Sequence, residues 1–334
     1  MKLTSLVLAT AVLSLGVTAV LAQDPGAADN VETPTLIEKA DLEALEPGAA
    51  AGQQLGEHRF IVSFEEPTTR AEALVRTTLQ NEPAFTGLLD SLADQIALPQ
   101  DVPVRFKNCG ESNAYWSPAL KEINMCYELL TGFNQSFQEK EDAYRNAFKW
   151  ADQVEVLLGS TAFVMLHEIG HGMVDLFELP VTGREEDAVD QFATFLLLAA
   201  DEPGQPLQER SSRLALLGAY FFESLLPIGV EVNQKYWADT HTFGAKRSID
   251  IMCLLMGAAP ETYAEIVVSG GTMLNSFYND HPEFIVGREA EWIAKTDDLN
   301  LVPFSRVSKC AQEYARYSGG WKYLIETFMT PQAN

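Results

Sequence analysis

The residues best suited to chemistry are His167, Glu168 and His171, which stand in the order His-Glu-x-x-His. Positions i and i+4 of a helix share a face, so both imidazoles can reach one metal ion. Glu168 lies about 100° further round the helix, where it can face a water in the open coordination position of that metal. The flanking residues are mostly apolar, and two buried histidines with a carboxylate need the polar partner that a metal supplies.

A catalytic zinc site needs a third protein ligand beside an open position. The acidic run Glu185-Glu186-Asp187 follows a loop that can reverse the chain direction after His171. Asp190 shares a helix face with Glu186, so one of the two can bind the metal while the other orients a histidine. The spacing alone leaves open which acid of the run is the ligand.

The chain resembles a bacterial family of exported metallopeptidases that was first catalogued as a domain of unknown function. It also resembles the thermolysin-type gluzincins, in which a second helix carries a Glu ligand and, four residues later, an Asp that bonds a ligand histidine. The similarity covers roughly Phe60 to the C-terminus. The segments that carry it are Cys109-Gly110 through Cys126-Tyr127-Glu128, His167 to His171, Gly183 to Gln191 and Asp239-Thr240-His241.

The resemblance implies a Zn²⁺ cofactor held by His167, His171 and Glu186, with Glu185 as the alternative third ligand. It implies that Asp190 hydrogen-bonds a ligand histidine. Gluzincins often place a late histidine near the developing oxyanion, which gives His241 that role, with Asp239 able to orient it. A structural histidine is the alternative for His241, and Arg247 could also face the cleft.

The elements that must position these residues fall into two halves. Strands are predicted at Phe60–Phe64 and Val102–Phe106, with helices over 70–98 broken at Glu82-Pro83. After Glu128 the chain is helical in pattern, and the principal predicted segments are 137–158, 161–176, 184–200, 210–226, 245–256 and 287–295. The expected class is therefore α+β and zincin-like: a small N-terminal sheet with the active-site helix, followed by a mainly helical C-terminal half. The strand over 120–125 is expected to form the edge of the cleft, where an extended peptide could pair.

The four cysteines allow three pairings. Cys109 and Cys126 flank a predicted hairpin whose turn is Ser117-Pro118-Ala119, and folding there places them opposite each other. We therefore predict the disulfides Cys109–Cys126 and Cys253–Cys310. Four buried free thiols are the alternative.

The N-terminus predicts export. Residues 1–22 have a basic start, an apolar stretch and small residues before a cleavage point after Ala22, as in a secretory signal; an uncleaved membrane anchor is the alternative. Residues 23–57 predict an acidic, disordered linker. A zincin-like metallopeptidase domain is expected over 58–334, secreted or periplasmic, with no stable membrane insertion after signal cleavage.

The net charge of −24 excludes the basic surface that a nucleic-acid partner requires. The function we expect is hydrolysis of peptide bonds in a peptide or protein substrate by a zinc-bound water that Glu168 activates. One alternative is another zinc hydrolase, such as a cell-wall amidase. The other is a catalytically silent envelope binding protein that retains a metal. The sequence does not indicate an oligomeric state.

Overall fold

The computed structural model describes residues 53–139, 151–202, 204–224, 244–267, 302 and 304–331. All of them lie in one compact unit, Pro47–Asn334. The predictions for residues 1–22 and most of 23–57, and the helix predicted over 287–295, therefore lie outside the described residues.

A four-stranded mixed sheet forms the N-terminal half, in the order β1-β2-β4-β3. β1 pairs with β2 and β2 with β4 in parallel, whereas β3 and β4 form an antiparallel hairpin. The strands are β1 (Phe60–Phe64), β2 (Val102–Lys107), β3 (Ala114–Ser117) and β4 (Glu122–Cys126).

Helices make up most of the rest of the described chain, which confirms the α+β class. In the order of the chain they are α1 (Arg70–Gln80), α2 (Pro83–Ala93), α3 (Tyr127–Glu139), α4 (Gln153–Leu176), α5 (Glu185–Ala199), α6 (Arg213–Ser224), α7 (Gly244–Ala258), α8 (Pro260–Val267) and α9 (Phe304–Leu324). No helix among the described residues is long and apolar enough to cross a membrane.

The central helix α4 packs between the sheet and the other helices. It contacts β3 and β4 on one side and α5 and α6 on the others. Asp152 caps its N-terminus by accepting hydrogen bonds from the Val154 and Glu155 amides. α4 is apolar on nearly every side, as is typical of a core helix, and most of its residues are buried.

Two sequence-based expectations need correction here. The helices predicted over 137–158 and 161–176 leave residues 159–160 between them, but the chain is helical through these two residues, within α4. A side chain at Gly159 would collide with Leu217 of α6, so the glycine allows close helix packing rather than a break. The segment 120–125 is also not a sheet edge: β4 lies between β2 and β3, and the edge beside α4 is β3.

Both predicted disulfides are confirmed. Cys109 bonds Cys126 across the β3–β4 hairpin, and Cys253 of α7 bonds Cys310 of α9. The first joins the segment before β3 to the end of β4, and the second ties two helices of the C-terminal half together.

Candidate metal centre

The HExxH residues lie in the buried second half of α4. His167 and Glu168 are 3% and 6% exposed. The ring centroids of His167 and His171 are 4.9 Å apart, as expected for positions i and i+4 on one helix face. Buried polar groups of this kind require partners, and each one has them.

The acidic residues of α5 come from the neighbouring helix, which approaches α4 closely at Gly170. A Cβ atom built at Gly170 would lie 2.7 Å from the Cβ of Val189, so only glycine permits this helix spacing. The approach brings Glu186 to both histidines. Its Oε2 is 3.2 Å from His167 Nε2, and its Oε1 is 3.5 Å from His171 Nε2.

The Nδ1 atom of each histidine ring hydrogen-bonds a carboxylate of its own. Asp190 Oδ1 lies 2.8 Å from His167 Nδ1, and Glu185 Oε1 lies 2.6 Å from His171 Nδ1. An ionised carboxylate only accepts hydrogen bonds, so each Nδ1 is the donor. This fixes the ring orientations and directs both Nε2 atoms toward Glu186, as is usual for histidines that bind metals.

His167, His171 and Glu186 lie close enough together to bind one metal ion. One ligand atom each from His167, His171 and Glu186 lies within 4.8 Å of the others. Two imidazole nitrogens and one carboxylate are the ligand set of an open, catalytic zinc site. The donor set therefore fits a divalent metal of the zinc type.

The carboxylates also alter the protonation of the two histidines. Burial alone would lower the pKa of His171, but hydrogen bonds to Glu186 and Glu185 outweigh it and raise the pKa to about 9. Burial and Arg247 lower the pKa of His167, whereas Asp190 and Glu186 raise it, and the net direction is upward. A metal ion bound by these two histidines would displace the Nε2 protons of their rings.

Arg247 of α7 holds Asp190 from the other side. Its Nε lies 2.7 Å from Asp190 Oδ2 and its Nη2 lies 2.7 Å from Oδ1, while its guanidinium stacks 3.6 Å from the ring centroid of Phe222. Burial would raise the pKa of Asp190, but Arg247 and His167 lower it to about 2. Asp190 is thus a buried acceptor for His167 that is ionised at neutral pH.

Glu168 faces the sheet. Its Oε2 accepts a hydrogen bond of 2.9 Å from the backbone N–H of Trp116 in the edge strand β3. The general base expected from the motif is therefore held by a backbone group that is 52 residues away in the chain.

The structure brings most of the predicted residues together. His167, His171, Glu186 and Asp190 come together with Glu168 beside them, and Glu185 lies behind His171 rather than between the two Nε2 atoms. His241 and Asp239 lie outside the described residues. The sequence does not indicate the contact of Trp116 with Glu168 or that of Arg247 with Asp190. No spacing signals either contact, because both join distant parts of the chain.

Comparison with known proteins gives one match. A family model described as "Putative metallopeptidase" matches residues 64–276, more than half of the chain. The matched region includes β2 to β4, the α4 motif, the acidic residues of α5 and the whole of α7. Neither curated proteins nor solved structures gave a match.

Proposed function

The chain belongs to the family described as "Putative metallopeptidase", and on that premise we propose that it is a zinc-dependent peptidase. His167, His171 and Glu186 hold the zinc, and Glu168 is the general base. One observation carries this assignment. Each histidine donates a hydrogen bond from its Nδ1 to a separate carboxylate, and this leaves both Nε2 atoms directed toward Glu186. A pair of surface histidines would not need two dedicated orienting acids.

Zinc is favoured over other metals by the donor set. Imidazole and carboxylate together suit Zn²⁺, whereas Mg²⁺ and Ca²⁺ prefer oxygen ligands alone. A zinc ion held by these three side chains would supply Lewis-acid chemistry, because it polarises a carbonyl oxygen and makes water a stronger acid.

Glu168 moves the proton in the reaction. Its carboxylate takes a proton from the water whose oxygen attacks the carbonyl carbon of the peptide bond. The carbon–nitrogen bond then breaks, and the same proton passes from Glu168 to the leaving amine nitrogen. Glu168 ends as it began, ionised. Its near-complete burial, 6% exposed, keeps bulk water from competing for that proton.

The substrate is a peptide or protein, as the family description implies. The two disulfides suit an oxidising compartment, and they support the proposal that the protein is secreted or periplasmic.

The two alternatives differ from this proposal in testable ways. A structural metal site is closed by four protein ligands and has no use for a general base, so the buried Glu168 argues against a silent binding protein. A cell-wall amidase would share the centre and the chemistry but would cleave amide bonds of peptidoglycan rather than of ordinary peptides.

Metal analysis combined with two substrates separates these functions. Purified protein is loaded with zinc, or stripped with a chelator, and incubated with a peptide library and with isolated peptidoglycan. The proposal expects one zinc per chain and cleavage of library peptides that chelation abolishes and zinc restores. Cleavage of peptidoglycan alone would favour the amidase, and metal binding with no cleavage of either substrate would favour the silent protein.

A further inference from the structure

The edge strand β3 presents the backbone of Trp116 outward, away from β4. The Cys126 N–H donates to Asn113 O, and the Lys121 N–H donates to Ser117 O. In an antiparallel pair the bonded positions alternate. Residues 113, 115 and 117 therefore bond toward β4, and the N–H of Trp116 points to the free edge.

That outward N–H meets the carboxylate of Glu168. The Trp116 nitrogen lies 2.9 Å from Glu168 Oε2, and both residues are buried, at 8% and 6% exposure. An amide that would otherwise be available at the sheet edge is thus used to hold the acid of the HExxH motif. A hydrogen bond from backbone to carboxylate is strong and well directed, because backbone groups have little freedom to move.

The Trp116 side chain fastens the strand to the same helix. Its indole N–H donates to Asp175 Oδ2 at 2.8 Å, and Lys121 Nζ binds the same oxygen at 2.7 Å. The indole ring covers Gly172, where an added Cβ would lie 3.1 Å from it. Positions 168, 172 and 175 lie along one face of α4, so one residue of β3 contacts three successive turns of the active-site helix.

We propose that Trp116 is the positioning residue for the general base: its backbone N–H sets where the Glu168 carboxylate lies, and its indole sets where β3 lies on α4. The inference rests on the proposed function, since positioning matters only if Glu168 moves a proton. A carboxylate can accept several hydrogen bonds, so the bond to Trp116 leaves other lone pairs of Glu168 for the proton. Precise placement of a reacting group matters, because a displacement of about 1 Å can cost roughly 10²-fold in rate.

Two substitutions separate the backbone bond from the side chain. Trp116→Ala and Trp116→Pro both remove the indole, but only proline removes the N–H. Proline is tolerated on an edge strand where the N–H does not serve the ladder, as here. Ala114→Pro is the matched control, because the backbone N–H of Ala114 also points away from β4 but donates to the Asn113 side chain rather than to Glu168.

The measurements are kcat and KM on a library peptide that the wild-type protein cleaves, together with zinc content. We expect all three variants to keep zinc. Trp116→Pro should have a kcat roughly 10-fold or more below that of Trp116→Ala with little change in KM, since the lost bond acts on the reacting step. Ala114→Pro should keep a kcat near that of the wild type. Equal kcat for the two Trp116 variants, or an equal fall in Ala114→Pro, would overturn the inference.

Hydrogen exchange tests the contact without any turnover. The Trp116 amide should exchange slowly in the wild type and at least about 10-fold faster in Glu168→Ala, while the amides of Ile123 and Met125 stay unchanged. An unchanged Trp116 amide would overturn the inference even if the protein is an active peptidase. Failure of the wild type to cleave any peptide would instead overturn the proposed function, and the catalytic meaning of this contact with it.

Discussion

Arg247 binds both carboxylate oxygens of Asp190, with its Nε 2.7 Å from Oδ2 and its Nη2 2.7 Å from Oδ1. Nη2 also lies 3.1 Å from His167 Nδ1. Arg247 Nη2 and His167 Nδ1 both carry hydrogens, so both donate to the same acceptor, Asp190 Oδ1. The orientation of His167 therefore depends on Arg247, a residue of α7 that is not itself one of the proposed metal ligands.

The Arg247–Asp190 pair predicts a loss of zinc affinity in Arg247→Lys. Lysine keeps the charge but cannot bind both oxygens at once, so Asp190 is free to turn away from His167. We expect the zinc dissociation constant to rise by about 10–100-fold, as is typical when an orienting partner of a metal ligand is disturbed. Competition with a chromophoric chelator measures it. Lys246→Gln, next in the chain and at the protein surface, is the control, and an equal effect in both variants would refute the role of Arg247.

Glu186 and Glu185 are adjacent acids with different predicted roles. Glu186→Gln removes a metal ligand and should abolish tight zinc binding. Glu185→Gln leaves the ligands intact and weakens only the support of His171 Nδ1, so zinc should still bind at saturating concentration with an affinity about 10–100-fold lower. Zinc titrations show which of the two variants binds zinc more weakly, and we expect it to be Glu186→Gln. Tighter binding by Glu186→Gln than by Glu185→Gln would reverse the assignment.

The two disulfides should contribute unequally to stability. Cys109–Cys126 closes a separation of 17 residues and Cys253–Cys310 one of 57. In the chain-entropy model these loops correspond to about 3 and about 4 kcal/mol at 25 °C. Denaturant unfolding of the two paired Cys→Ser variants should therefore show the larger loss of unfolding free energy for Cys253–Cys310. The opposite order would show that local packing, not loop length, dominates.

Glu72 predicts an acid-sensitive contribution to stability. Burial would raise the pKa of Glu72, but hydrogen bonds from the Asn108 side chain and from the amides of Thr69 and Thr68 outweigh it, and the pKa falls from 4.5 to about 2. The folded state thus binds this proton less readily than the unfolded state does. The contribution of Glu72 is complete above pH 4.5 and is lost as the pH falls toward 2.

The measurement is the unfolding free energy of the wild type and of Glu72→Gln as a function of pH. The difference between the two proteins should be constant near neutral pH and should shrink between pH 4.5 and 2. Glu66→Gln, at an exposed position, should follow the wild type throughout. A difference that is independent of pH would mean that Glu72 acts by packing alone.

The sequence predicted the parts of the site that depend on local geometry. His167 with His171, and Glu186 with Asp190, are each separated by four residues, and a helix places such pairs on one face whatever surrounds it. The hairpin between Cys109 and Cys126 was predictable for the same reason, because its turn chemistry is local.

The remaining features depend on packing between distant segments. The bonds Trp116–Glu168 and Arg247–Asp190 join residues 52 and 57 positions apart, and no local pattern encodes them. The order of the strands also follows from packing: β4 pairs with β2 in parallel and so leaves β3 at the edge. The helix also continues through Gly159, where the close approach of Leu217 leaves room only for glycine, since tertiary packing outweighs the low helix propensity of glycine.

The most direct test of the account is a comparison of Glu168→Gln with the wild type in two assays on the same preparations: zinc per chain and turnover of a library peptide. Glu178→Gln, an exposed residue just beyond the end of α4, is the control. The side-chain amide of Glu168→Gln cannot accept the proton, but the substitution leaves the three zinc ligands in place. We predict one zinc per chain in all three proteins and a kcat for Glu168→Gln that is roughly 10²–10⁴-fold lower, with Glu178→Gln unaffected. Undiminished turnover by zinc-loaded Glu168→Gln would contradict the account.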